Sequence, residues 1–295
     1  MYSSNKQQKK HGFLKLILLL AVMFSLVLGL KYLLSPSSPI PLRSMLSGLI
    51  GENSGAGSSQ ALPDNSDGSL RDAVYNLAQQ DIRARTVYEN YNDYPTAILK
   101  LLVTNPDARD FVYDYPSRID DPSPGKLTAG ELSGGIPLLL QWDQRWGYTQ
   151  YGSGVLGITG CGPTCLSMVV VGLTGNSSFT PYAIAENSLN SGFYVDGAGS
   201  SWDLMRLDLD RYGISAEELP LSEETIISAL NAGKPIIANV GVGDFTDSGH
   251  FIVITGYKDG LFTVNDPNSP SRSAEGWYYD TLSPQIMNLW AYTAA

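Results

Sequence analysis

The chain has 295 residues, of which 43% are hydrophobic and only 16% charged, enough apolar material for a substantial core and too much for a wholly disordered protein. Its formal charge of −10 hides an asymmetry, since Lys6, Lys9, Lys10, Lys15 and Lys31 precede every acidic residue, and without those five lysines 14 basic residues face 29 acidic ones. A body this acidic repels phosphate backbones, which argues against a nucleic-acid partner and makes basic peptides better candidates than anionic polymers.

The first element in chain order is apolar. Leu16 to Leu30 carries no charge, and Phe13 to Leu34 becomes a span of ~20 residues if Lys15 and Lys31 snorkel to the interfaces. The basic flank before it places the amino terminus in the cytoplasm and the rest of the chain outside, with residues 13–34 in the lipid bilayer. A cleaved signal peptide has a similar flank and run, but no A-x-A site follows Leu30, so an uncleaved single-pass signal anchor is the expectation. Residues 35–68 are rich in Ser, Gly, Pro, Asn and Asp and read as a flexible linker.

Residues 69–135 then read as a small helical region and its link. Ser69 caps a helix through Gln80, Pro95 opens another through Val103, and Asn105-Pro106 starts a third ending near Tyr115. Tyr88, Tyr91, Tyr94, Phe111, Tyr113 and Tyr115 could form a recognition surface, although docking onto the following domain is the simpler use. After the Pro/Gly-rich stretch 122–135 the pattern alternates between helices and β-branched runs, as expected of a mixed domain over 136–295. Helices are expected after Cys161, Thr180-Pro181, Ser200 and Ser222, stopped by Gly192, Gly213 and Gly233. Strands are expected at Pro137–Gln141, Pro235–Val240, His250–Tyr257, Leu261–Asn265 and Leu289–Thr293.

Two cysteines, Cys161 and Cys165, are too few for a disulfide scaffold. Four apart on one helix they share a face, but a bridge within a helix is strained, so two thiols are expected. Cys161 lies in Gly160-Cys161-Gly162-Pro163-Thr164, directly before an apolar helix, where unpaired backbone N–H groups favour the attacking thiolate. Taken alone it is as well explained as a small thiol beside a turn, and Cys165, between apolar neighbours, is better explained so.

Histidine usage tips the balance. The chain has only His11, in the basic flank, and His250, so His250 alone can share a compartment with Cys161. His250 opens an apolar run that reads as a buried central strand. Sixteen residues on, after a Lys258-Asp259-Gly260 hairpin turn, Asp266 falls at the end of the neighbouring antiparallel strand, where a carboxylate can fix the imidazole tautomer. Asp before Pro is also an ordinary turn pair. No His/Cys/Asp cluster has metal spacing, and no cofactor is expected.

These residues resemble the papain-like cysteine peptidases related to the bacteriocin-processing (double-glycine leader) peptidase domain. The resemblance covers roughly 136–295 and rests on ordered blocks: Gln141-Trp142-Asp143-Gln144-Arg145-Trp146, Gly160 to Thr164, Ser200-Ser201-Trp202, and Gly243-Asp244-Phe245 through Gly249-His250-Phe251 with Asn265-Asp266-Pro267. It implies an α+β papain-like fold, Cys161 as nucleophile, His250 as base, Asp266 as orienting residue and Gln141 as oxyanion-hole donor beside the Cys161 N–H. An amide at 266 could still hold the ring, so Asp266→Asn is expected to be milder than loss of His250. The leader-processing enzymes are fused to a transporter and its ATPase, whereas this sequence has one apolar span and no GxxxxGK[ST], so leader processing does not carry over. The expected activity is therefore that of a membrane-anchored extracytoplasmic cysteine peptidase acting on a peptide or protein. Its rivals are a cell-wall amidase or peptidase of another papain-like group and an inactive peptide-binding module.

Overall fold

The computed structural model describes residues 67–120 and 123–295. The apolar segment 13–34 and the linker as far as residue 66 lie outside the described residues. Among the described residues no helix is long and apolar enough to cross a membrane.

The helical region contains α1 (Asp67–Ala78), α2 (Ile82–Glu89), α3 (Thr96–Thr104) and α4 (Arg109–Arg118). The sequence reading missed α2 because its exposed, charged surface leaves little apolar periodicity, and only Ala84 and Val87 are buried. Its start is nonetheless encoded by Asp81, whose side chain accepts from the N–H groups of Arg83 and Ala84. Asn105 accepts from Asp107 N–H at 3.1 Å and so caps the one-turn helix Pro106–Ala108 that leads into α4. Leu70, Val74, Ile98, Leu102 and Phe111 share one core with Tyr148 and Val155, so the helices bury their apolar faces against the following region. Phe111 stacks on Tyr148 at 4.6 Å and fills the space a side chain would need at Gly147 and Gly157.

Beyond residue 135 lie α5 (Cys161–Thr174), α6 (Pro181–Asn190) and α7 (Glu223–Asn231). Gly175 ends α5 at φ 69°, a left-handed conformation that suits glycine. Thr180 with Pro181 starts α6, and Ser222 followed by Glu223 and Glu224 starts α7, the last two complementing the helix dipole. A six-stranded sheet comprises β1 (Ile214–Glu218), β2 (Ile236–Val240), β3 (His250–Lys258), β4 (Leu261–Asn265), β5 (Gly276–Trp277) and β6 (Ile286–Ala294). Its spatial order is β1-β6-β2-β3-β4-β5 and every pairing is antiparallel.

Period-two alternation divides the sheet residues between two cores. Ile237, Phe251, Val253, Trp290 and Tyr292 meet Leu166, Val169 and Val170 of α5. Ile236, Ala238, Ile252, Ile254, Leu289 and Ala291 meet Ile226 and Ala229 of α7 on the other face. The β3–β4 hairpin turns through Asp259 at φ 53° and Gly260 at φ 84°, the Asp-Gly chemistry that a two-residue loop requires.

Three expectations need correction. Pro137–Gln141 is not a strand: Asn265 Nδ2 donates to the Ile136 and Pro137 carbonyls at 3.1 Å each, and Gln141 N–H bonds Pro267 O at 2.8 Å, so a side chain and a turn replace the ladder. The segment after Ser200 is a short 3₁₀ turn, Trp202–Met205. Strand β1 was not anticipated, because Ile-Ser-Ala-Glu-Glu is a polar edge strand with a single buried residue, Ile214.

Candidate active site

The turn before α5 places Cys161 at its first position, with Gly160 as N-cap. Thr164 closes this start, its N–H and Oγ1 both bonding Gly160 O at 3.0 and 2.8 Å. Gly162 allows close approach of the 200–202 block, since a Cβ there would fall 2.5 Å from Ser200 Oγ. Cys161 is partly exposed and Cys165 fully buried, and both are free thiols. Cys165 Sγ donates to Phe251 O at 3.3 Å.

His250 opens β3 opposite Val240, and its carbonyl is held by Asn239 Nδ2 at 3.1 Å. Its ring bonds Asp266 Oδ1 through Nε2 at 2.8 Å, which leaves Nδ1 free to serve the Cys161 thiol. Asp266 is completely buried and fully partnered: Oδ1 also accepts from Asn268 N–H at 2.8 Å, and Oδ2 accepts from Arg272 Nε at 2.6 Å. A carboxylate ringed by donors fixes the imidazole in one orientation and favours its protonated form.

The charges follow from this geometry. Burial works against ionising Cys161, but the hydrogen bond and positive charge of His250 outweigh it and hold the thiol below its ordinary range. Burial likewise opposes the imidazolium, and Asp266 and Cys161 overcome it, pushing His250 up to about 9. Asp266 is held below the usual carboxylate range, burial being outweighed by His250 and then Arg272. Burial pushes Cys165 well above the ordinary thiol range. Both shifts favour an imidazolium beside a thiolate, the reactive form of a cysteine thiol. Iodoacetamide at pH 7 is therefore expected to modify Cys161 at least ~10-fold faster than Cys165, because only thiolate reacts. Equal labelling in peptide mass mapping would deny Cys161 this role.

Gln141 is buried, but its Nε2 donates to the Gly157 and Ile158 carbonyls, ahead of the Cys161 turn, at 3.0 and 3.2 Å, while its Oε1 is buried without a partner. Both amide hydrogens thus have backbone acceptors. Arg272 escaped the sequence reading. It sits six residues after Asp266 in Ser269-Pro270-Ser271-Arg272-Ser273, and the one-turn helix Pro270–Ser273, capped by Ser269, folds it back onto the carboxylate. The Ser-Pro start was the available signal. Of the tryptophans, Trp146 and Trp290 are core residues, whereas Trp202 is half-exposed and packs edge-on against Trp290 with ring centroids 5.6 Å apart.

A cysteine heading a buried helix, packed on an antiparallel sheet that brings histidine and a buried carboxylate together, is the arrangement of the papain-like class. Residues 134–294 match the model described as the Peptidase_C39 like family. The chain belongs to that family, and membership implies a peptide or protein substrate. The peptidase domain of Streptococcus ComA, a bifunctional ABC transporter involved in quorum sensing, is 18% identical, with 46% of this chain and 91% of that chain covered at a TM-score of 0.37. A Bacillus anthracis protein described as a C39-like peptidase is 15% identical, with 54% and 95% covered at a TM-score of 0.36. No curated protein sequence matches the chain significantly.

Proposed function

We propose that the chain is a cysteine peptidase in which Cys161, His250 and Asp266 form the catalytic triad. The observation that carries this reading is the His250 ring bonded to the buried Asp266 carboxylate at 2.8 Å while its positive charge lowers the pKa of the Cys161 thiol. The Cys161 thiolate attacks the scissile carbonyl, and the tetrahedral oxyanion is met by the Cys161 N–H at the helix start. Collapse expels the amine, which takes its proton from His250. Water, deprotonated by the same ring, then hydrolyses the thioester and releases the acid. Gln141 joins the oxyanion donors only if its amide turns away from Gly157 and Ile158.

Profiling the intact chain against a broad peptide library tests this reading. Cleavage is expected, and Cys161→Ser should abolish it; binding without turnover that is indifferent to Cys161→Ser would indicate a binding module instead. The leaving amine needs the imidazolium proton, so kcat/KM should decline as pH rises through about 9, where His250 loses it. A rate that keeps rising beyond that pH would contradict the role of His250.

The basic, apolar amino-terminal sequence supports a single-pass anchor at residues 13–34 with the catalytic region outside the cell. Protease added to intact cells should then degrade the region from 67 onward while full-length chain sediments with membranes. A soluble mature protein beginning near Lys31 would overturn the anchor.

A further inference from the structure

The peptidase family match begins at residue 134, yet the helical region 67–120 reaches the site from two sides. Asn105, buried at the junction of α3 and α4, donates through Nδ2 to Asn268 O at 2.7 Å, across 163 residues of sequence. Asn268 is the residue whose N–H holds Asp266 Oδ1, the same oxygen that receives His250 Nε2. Trp142 Nε1 gives the Asn268 carbonyl its second donor at 3.0 Å. On the other side, the Phe111 ring presses on the Gly157 backbone, leaving no room for even a Cβ, and Gly157 O accepts from Gln141 Nε2.

We propose that the helical region is an integral part of the catalytic apparatus, with Asn105 a positioning residue that sets Asp266 on His250 by fixing the main chain of Asn268. This rests on the triad reading above. The physical reason lies in how the carboxylate is held. Arg272 bonds Oδ2, whereas Asn268 N–H anchors Oδ1, the oxygen that faces the ring. The Asn268 N–H can anchor only if the residue's φ and ψ are fixed, and its carbonyl, on the other side of the Cα, is fixed by two side-chain donors, Asn105 and Trp142, held by buried or half-buried frames. With Asn105 gone, the turn 266–268 gains freedom and the carboxylate follows Arg272. His250 Nε2 then loses part of its partner, and the imidazolium supports the thiolate less well. The helical region on this view is neither a removable propeptide nor a passive spacer.

The test is the pH dependence of Cys161 alkylation in the full chain, a readout that requires a reactive thiol and no peptide substrate. In Asn105→Ala the midpoint is expected to move up by about half a pH unit or more, equivalent to about threefold less thiolate below the midpoint. Val74→Ala, which removes packing from the same helical core but no bond toward the site, should lower thermal stability and leave the midpoint in place. Trp142→Phe, which deletes the other donor and keeps an aromatic ring, should shift the midpoint in the same direction. That variant decides the matter if Asn105→Ala fails to fold. An unmoved midpoint in folded Asn105→Ala, or in Trp142→Phe where it stands in, would overturn the proposal. So would an equal shift in Val74→Ala. If the wild-type Cys161 reacts no faster than Cys165, the triad reading itself fails. A reactive Cys161 whose midpoint ignores Asn105 removes only the positioning role.

Discussion

Replacing His250 by alanine is expected to reduce peptide turnover by ~10²–10⁴-fold from loss of general acid–base assistance alone, with a further loss because the thiolate is no longer supported. The expectation is sharp because the chain has only one other histidine, His11, on the far side of the apolar segment in the proposed topology. No second imidazole is available to substitute. The backbone around position 250 is held by the β2–β3 ladder and by Asn239 on the carbonyl, neither of which needs the ring, so the variant should fold. Initial rates on the best library peptide, with circular dichroism to verify the fold, provide the measurement. A folded His250→Ala protein with near wild-type activity would sink the mechanism.

The second large effect adds a loss of stability to an expectation drawn from the sequence. An amide at 266 can accept from the imidazole, which by itself predicts a mild Asp266→Asn variant. The structure adds Arg272. With the amide oxygen facing His250 and Asn268 N–H, the amide nitrogen faces Arg272 Nε, donor against donor, and a cation 28% exposed loses a completely buried counter-charge. Breaking a buried pair costs about 3–5 kcal/mol, and the partial exposure of Arg272 places this case near the lower end. Asp266→Asn should therefore lose stability as well as activity in thermal unfolding at pH 7, and Arg272→Gln in the same chain should restore part of the stability but not the turnover. The sign of the pH dependence is fixed. Asp266 has a depressed pKa in the folded chain, so its contribution is present above the unfolded value of about 3.9 and disappears as pH falls through the folded one. The gap between wild type and variant should accordingly close in acid. An Asp266→Asn protein with an unchanged melting temperature would show that Arg272 does not depend on the carboxylate.

What the sequence revealed and what it hid follow from the range of the interactions. His250 and Asp266 could be paired on paper because a two-residue Asp-Gly turn joins two adjacent strands, and a hairpin is local. Cys161 was legible from the glycine turn before an apolar helix and from the scarcity of histidine. Arg272 was not, since a Ser/Pro-rich stretch reads as surface until one helical turn folds it inward. Asn105 was legible only as a helix cap, because its bond to Asn268 depends on packing between segments 163 residues apart. The apolar stretch 137–141 misled for a related reason: its carbonyl partners come from the Asn265 side chain, and no periodicity encodes that.

The place of β6 in the sheet bears on how the fold is assembled. The last strand in the sequence, Ile286–Ala294, lies between β1 and β2 and pairs with both, and the Ala295 N–H bonds Gly213 O. A nascent chain that has reached residue 285 holds β2 and β3 with one open edge and has nowhere to attach β1. The sheet behind His250 is therefore completed only once residues 286–294 are available, through contacts of long sequence separation that form late and slowly. Without residues 286–294, β1 would have no partner and β2 would be a bare edge open to aggregation, so this one segment governs whether the sheet behind His250 closes at all.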